Sequence, residues 1–219
     1  MKRIAVVGYK GKMGGAVFNH LKTKGFAVVG VDKDDSLEDL SGVGLVIDFG
    51  GAESSAISAK WCEKNGVAII IGSTGQTDEQ NEIIESASKK VAVLKAGNFS
   101  IGIYMLKKMM GVLKDTTLSS ICVFEKHHAQ KVDCPSGTAI ELEKVIYENF
   151  GIEPQMLSER GGKEIGTHMI DFYFADEVIS VSHKAFSREA FVLGVVRAVE
   201  FMLKQNEARM YCFEDIFDK

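Results

Sequence analysis

From Phe124 to Ala139 the chain reads Phe-Glu-Lys-His-His-Ala-Gln-Lys-Val-Asp-Cys-Pro-Ser-Gly-Thr-Ala, and most of its reactive side chains of interest fall there. Histidine can donate a proton near neutral pH without perturbation, and lysine is a compact cation that can share a proton with a ring nitrogen or a carboxylate. His127 and Lys131 share a face if the strand before them continues as an extended chain. Pro135 suits the start of a helix and Ser136 is a good N-cap. Gly137 and Thr138 are then expected to present unpaired backbone N–H groups at a helix N-terminus, which favours carboxylate or phosphate. Proton donor, cation and anion cradle would converge. A plain strand-to-helix loop with a solvated lysine explains the same residues taken alone.

A second constellation opens the chain. Gly8-Tyr9-Lys10-Gly11-Lys12-Met13-Gly14 follows a short apolar run and leads into a helical pattern. In that context glycines provide a tight turn, close approach to a pyrophosphate and close helix–strand packing. The spacing is Gly-x-x-Gly-x-x-Gly, so Asp32, at the end of the next apolar run, matters: an acid there accepts hydrogen bonds from an adenosine ribose. Lys33 beside it could neutralise a 2′-phosphate, leaving NADH and NADPH both open. Gly72-Ser73-Thr74-Gly75 and Ala96-Gly97-Asn98-Phe99-Ser100 close two later runs, where small residues and exposed amides admit a flat ring. Each is also readable as an ordinary turn.

The elements that must position these residues change character midway. Residues 4–7, 26–31, 44–49, 67–71 and 91–96 read as apolar strands, with helices over 12–24, 52–65 and a segment capped by Thr77 or Asp78 whose last turn holds Lys89 and Lys90. Such alternation predicts a parallel sheet covered on both faces, a Rossmann-like α/β domain. Beyond Asn98 come a helix over 101–114, strands over 118–124, 169–175 and 178–182, the last two a hairpin around Asp176-Glu177, and an amphipathic helix over 188–205. The expected plan is a dinucleotide-binding domain, 1–98, completed by 188–219. An inserted α+β domain, 99–187, would serve substrate binding and oligomerisation, with joints near Asn98-Phe99 and 185–187.

Composition narrows the function classes. The 219 residues are 46% hydrophobic with a formal charge of −4, an ordinary globular balance without the basic excess of a nucleic-acid binder. The glycine-rich turn after four apolar residues predicts that the N-terminus is no signal peptide, and no apolar run is long enough to span a bilayer. Cys62, Cys122, Cys134 and Cys212 lie far apart, which points to thiols in a reducing cytoplasm and to no metal site.

Over nearly its whole length the sequence resembles the 4-hydroxy-tetrahydrodipicolinate reductase family of the diaminopimelate–lysine pathway. The resemblance rests on Gly8 to Gly14, Asp48-Phe49, Gly72 to Gly75, Asn98 to Gly102, and Glu125-x-His127-His128-x-x-Lys131-x-Asp133-x-Pro135-Ser136-Gly137-Thr138-Ala139. Arg160-x-Gly162, Gly166-x-His168 and Ser182 to Arg188 extend it. It implies His127 as general acid and Lys131 as second proton donor. His128, Lys131, Ser136, Gly137 and Thr138 would hold the substrate, a cyclic imine dicarboxylate reduced to tetrahydrodipicolinate by NADH or NADPH. It further implies cofactor contacts from Gly8, Gly11, Lys12, Met13, Gly14, Asp32, Lys33, Gly72, Ser73, Thr74, Asn98 and Phe99, and a homotetramer. Gly50-Gly51 depart from the family's usual Ser or Thr followed by Pro, and Lys126, Cys134 and Thr167 are further departures. Another dinucleotide-dependent dehydrogenase of the same plan, or a non-catalytic redox sensor, remain the other readings.

Overall fold

The computed structural model describes residues 3–114 and 116–217. They divide into two compact units, Met1–Phe99 with Phe191–Lys219, and Ser100–Ala190.

In the first unit, strands β1 (Arg3–Val7), β2 (Val28–Val31), β3 (Val43–Asp48), β4 (Ala68–Ile71) and β5 (Val93–Lys95) alternate with helices α1 (Lys12–Thr23), α2 (Ala52–Asn65) and α3 (Asp78–Ser88). A short 3-10 turn, Leu37–Asp39, is all that lies between β2 and β3. The all-parallel sheet runs β10-β5-β4-β3-β1-β2, with β10 being Met210–Tyr211. Ile4, Ala5, Val6, Leu45, Val46, Ile47, Ile69, Ile70 and Ile71 are fully buried, as continuous apolar strands covered on both faces must be. The chain leaves β1 for β2 on one side and returns to β3 on the other. The loops after β1 and β3 therefore meet at a topological switch point, where open α/β sheets bind ligands.

In the second unit, α4 (Ile101–Met110) precedes a four-stranded sheet ordered β7-β6-β8-β9. Its strands are β6 (Ser120–His127), β7 (Gln155–Arg160), β8 (Gly166–Tyr173) and β9 (Val178–Ala185), and α5 (Gly137–Phe150) makes the parallel crossover from β6 to β7. The other pairings are antiparallel. Leu106 and Met110 of α4 and Leu142 and Ile146 of α5 bury one sheet face against Ile121, Val123, Ile170 and Phe172. Each such side chain contributes roughly 1.5–3 kcal/mol of transfer free energy. Helix α6 (Glu189–Met202) then returns the chain to the first unit.

Several expectations need correction. The helix from Ile101 stops at Met110 and tightens into a 3-10 turn, Gly111–Leu113. Helix α3 is closed at its start by a Thr77–Gln80 capping box, but it ends at Ser88, so Lys89 and Lys90 follow it. Strands β7 and β10 carried no sequence signal: β7 is an exposed edge strand of mixed polarity, and β10 is two residues long. Strands β6, β8 and β9 run three residues further than their apolar cores suggested at the end near the histidines, which draws His127, His168 and His183 into the sheet.

Candidate active site

Strand register assembles the polar cluster. Ser158, Glu125, His168 and His183 form one transverse row across β7, β6, β8 and β9, and Arg160 and His127 open the adjacent row on the same face. That face is the one α4 and α5 cover, and the buried apolar residues end where this row begins. Glu125 is fully buried, and His127 and His168 nearly so.

Both carboxylate oxygens of Glu125 are engaged. Oε2 accepts a short hydrogen bond from His127 Nδ1, and Oε1 accepts from Arg160 at 2.7 Å and from the Ser136 amide at 3.3 Å. The same Arg160 nitrogen donates to the Asp133 carbonyl at 2.6 Å, tying the loop before α5 to the cluster. Burial alone would raise the Glu125 pKa, but hydrogen bonds from Arg160 and Ser158 and the neighbouring positive charge hold it down to about 2. For His127, burial is the largest single influence and lowers the pKa; Glu125 opposes it by charge and hydrogen bond, and Lys131 and Arg160 push the same way as burial, so the net shift is downward. An ionised carboxylate only accepts, so the ring proton that faces Glu125 sits on Nδ1, and Nε2 is the exchanging nitrogen. A Cβ on Gly166 would lie 2.9 Å from that Nε2, so the glycine leaves the ring its place.

His168 and His183 each hold a helix cap. Ser136 Oγ accepts from the Ala139 amide at the start of α5 and lies 3.4 Å from His168 Nε2. Ser100 Oγ accepts from the Ile103 amide at the start of α4 and lies 3.2 Å from His183 Nε2. A Cβ on Gly102 would meet the His183 ring at 2.4 Å, which accounts for the glycine in the Ser100-Ile101-Gly102 motif. Burial, with the His127 and His183 charges, lowers the His168 pKa to about 3, and burial also lowers that of His183. Glu125, His127 and His168 place donor atoms within 4.8 Å of one another. With Arg160 and His127 on its two oxygens, Glu125 is occupied as a hydrogen-bond acceptor.

The segment beyond His127 differs from expectation. Strand β6 ends at His127, and a turn closed by the Lys131 amide on the His128 carbonyl brings Lys131 round. Lys131 therefore does not share a strand face with His127, yet its charge is close enough to lower the pKa of His127. Ser136 caps α5 as expected, but the Gly137 amide is not unpaired: it donates to Asp133, whose carboxylate also pairs with Lys131 at 2.7 Å. Thr138 sits in the first turn of α5, half-buried, and the His128 amide donates to the Glu164 carbonyl. The sequence reading missed Glu125, Arg160 and Asp133 as functional parts. Their presence in the quoted motifs was the one available signal, since none of their partners is set by spacing alone.

The first unit holds a cleft of 1030 Å³ bordered by Gly8, Gly11, Asp32, Lys33, Gly50 and Gly51. Helices α1 and α2 both start at this cleft from glycines, Gly11 and Gly51, with no side-chain cap, in contrast to α3, α4 and α5. Gly8 turns with φ +75°, and a Cβ on Gly14 would stand 2.2 Å from the Gly8 carbonyl oxygen, so the helix and the turn touch through glycine. Lys12 and Met13 form the first turn of α1. Asp32 accepts from the Lys33 amide at 2.8 Å and lies 3.9 Å from Lys10. Gly51 has φ +114°, a conformation closed to the proline expected there from the family pattern.

Other residues expected at the cofactor face inward. Ser73 donates to the buried Asp48 carboxylate and accepts from the Gly51 amide. Gly72 lacks the Cβ that would meet the Phe49 ring at 2.1 Å, while Thr74 is exposed. The Phe99 ring is buried between Phe49 and Phe213, and Asn98 beside it is half-buried.

Comparison with known proteins adds to this geometry. Residues 2–99 match the family model described as dihydrodipicolinate reductase, N-terminus, and residues 100–217 the one described as dihydrodipicolinate reductase, C-terminus. The chain is 34% identical over 216 residues to the 4-hydroxy-tetrahydrodipicolinate reductase of Thermosipho africanus, covering 98% of this chain and 97% of that one. It is 30% identical to the enzyme of that name from Archaeoglobus fulgidus, covering 99% and 100%. Its fold is similar to dipicolinate-bound dihydrodipicolinate reductase from Paenisporosarcina sp. TG-14, with a TM-score of 0.77, 22% identity and 97% of each chain covered. It is also similar to myo-inositol 2-dehydrogenase from Lactobacillus plantarum, with a TM-score of 0.66, 10% identity and 98% and 92% covered.

Proposed function

The chain belongs to the dihydrodipicolinate (4-hydroxy-tetrahydrodipicolinate) reductase family of oxidoreductases, and from that premise we propose that it reduces the cyclic imine dicarboxylate to tetrahydrodipicolinate with NADH or NADPH. The observation that carries this reading is the His127 imidazole buried on Glu125, with the Lys131 ammonium and the start of α5 near it.

The residues of the first unit fit a dinucleotide. Two uncapped helix N-termini at one cleft offer amides to a pyrophosphate, and Asp32 suits a ribose diol. A bound nicotinamide supplies the hydride; the protein's own groups orient and protonate. Lys131 and the amides of Gly137 and Thr138 take a substrate carboxylate, with Ser136 holding the helix start and His128 at the margin. His127, as an imidazolium, delivers a proton from Nε2 to the electron-rich product, and Lys131 stabilises the ring as a second donor. Residues 1–98 with 188–219 thus serve the dinucleotide and 99–187 the substrate.

We read the protein as a cytoplasmic homotetramer, and the outward face of the second sheet supports the association. It leaves Leu157, Tyr173 and Val178 exposed, an apolar surface suited to burial against copies of itself. Among the described residues no helix is long and apolar enough to cross a membrane.

Mixing the purified protein with NADH or NADPH and freshly generated substrate, and following nicotinamide absorbance, tests the reaction. Turnover with both cofactors is the expected result. Dinucleotide binding without turnover would point to a sensor, and turnover only with an amino acid or a polyol to a different dehydrogenase. Sedimentation of the same sample reads the oligomer.

A further inference from the structure

We infer that Glu125 is the positioning residue of His127, fixing the tautomer and tuning the charge of the imidazole, and that Arg160 sets how much of the Glu125 charge reaches it. The inference rests on the reading of His127 as the proton donor and extends it to the two residues that hold and tune its ring.

The geometry is specific. A fully buried carboxylate in register beside two buried histidines takes an imidazole N–H, a guanidinium and a backbone amide on its oxygens, with the Ser158 hydroxyl from the edge strand as a further donor. Its bond to Nδ1 keeps the proton on that nitrogen, so Nε2 is always the atom that gains and loses a proton. On the far side, Gly166 leaves no side chain against Nε2. Arg160 competes for the same carboxylate from the edge strand, and its own position is fixed by the Asp133 carbonyl at 2.6 Å. The two substitutions that weaken this trio therefore act with opposite sign on one nitrogen. Removing the negative charge of Glu125 destabilises the imidazolium. Removing the guanidinium leaves the whole carboxylate to His127 and stabilises it.

The test uses the full-length protein with Glu125→Gln and Arg160→Gln. Imidazole titration of His127 by ¹H–¹⁵N NMR reads the coupling without catalysis. Glu125→Gln should lower the His127 pKa by about one unit or more and let the neutral ring mix tautomers, and Arg160→Gln should raise it. In turnover, the acid must be protonated, so the limb where kcat falls with rising pH should move down in Glu125→Gln and up in Arg160→Gln. At pH 7 the former should lose about 10–100-fold in kcat, with a much smaller change in substrate KM. An unmoved His127 titration in both variants, with stability alone affected, would overturn the inference. Shifted titrations beside an unmoved kcat profile would uphold the coupling and overturn His127 as the acid. If Glu125→Gln fails to fold, the Arg160→Gln shift decides: an upward one supports the inference, no shift or a downward one sinks it.

Discussion

Among the described residues each unit buries one carboxylate completely, and the two are satisfied by different chemistry. Asp48, at the end of β3, accepts from the Gly50 amide and from the hydroxyls of Ser54, Ser58 and Ser73, at 2.6–3.1 Å. Glu125, near the end of β6, accepts from an imidazole and a guanidinium as well as from an amide and the Ser158 hydroxyl. Neutral donors leave Asp48 a fixed pin that fastens the β3 and β4 loops around the cleft. Ionisable donors make Glu125 part of a system whose proton content can change. Burial by itself thus does not mark a carboxyl that takes part in proton chemistry; the charge state of its partners does.

The sharpest test of that contrast removes the proton donor. His127→Ala is expected to lower kcat by about 10²–10⁴-fold while dinucleotide fluorescence titrations stay near normal. Lys131→Ala should lower kcat and raise substrate KM together if the lysine binds as well as donates, as proposed. A near-normal kcat in His127→Ala would leave Lys131 or a bound water as the donor.

Asp48→Ala should cost roughly 2–4 kcal/mol of stability, read by denaturant unfolding, because buried hydroxyls lose their acceptor. Its kcat profile should keep the wild-type pH dependence. A displaced profile would erase the distinction between the two carboxyls.

Acid should loosen the second unit first. His168 titrates normally near 6.5 when unfolded and is lowered to about 3 when folded. Between those values the unfolded chain binds the extra proton, so this contribution is complete above pH 6.5 and is lost as pH falls toward 3. The slope is up to about 1.4 kcal/mol per pH unit. Hydrogen exchange should show the starts of α4 and α5 opening before β1 and β3. Equal loss in both units would argue against the Ser–His caps as the weak point.

The smallest effect concerns the cofactor. Lys33→Ala should weaken NADPH more than NADH, by about 1 kcal/mol for one exposed charge-assisted contact. Equal losses would take Lys33 out of 2′-phosphate recognition, and Lys10, which already lies 3.9 Å from Asp32, would be the alternative cation.

The parallel sheet was legible because continuous apolar runs such as Ile69-Ile70-Ile71 occur only where both faces are covered. The hairpin was legible from Asp176-Glu177 between two β-rich runs. Strand β7 was not, since Gln155 to Arg160 is an edge whose polarity follows solvent and partners and shows no clear alternation. The histidine row was half legible. His127 stood out by type, but its link to His168 exists only through a cross-strand register that no local pattern specifies. The error at Lys131 had a physical source: the strand was extended past His127, where a turn intervenes.

Asp133 gives the anion cradle an internal rival. Its carboxylate, more than half exposed, already takes the Lys131 ammonium and the Gly137 amide. On the proposed reading of this cradle, a ligand carboxylate enters by exchange, one anion for another of the same shape. The ion pairs broken and made are equal in number, so the affinity is a difference between two similar grips. Selectivity then has to come from what Asp133 lacks, a second carboxylate and a flat ring. A monocarboxylate arriving from solvent competes against a tethered neighbour at high effective concentration and is turned away, whereas a dicarboxylate brings an extra anchor that the tether cannot match.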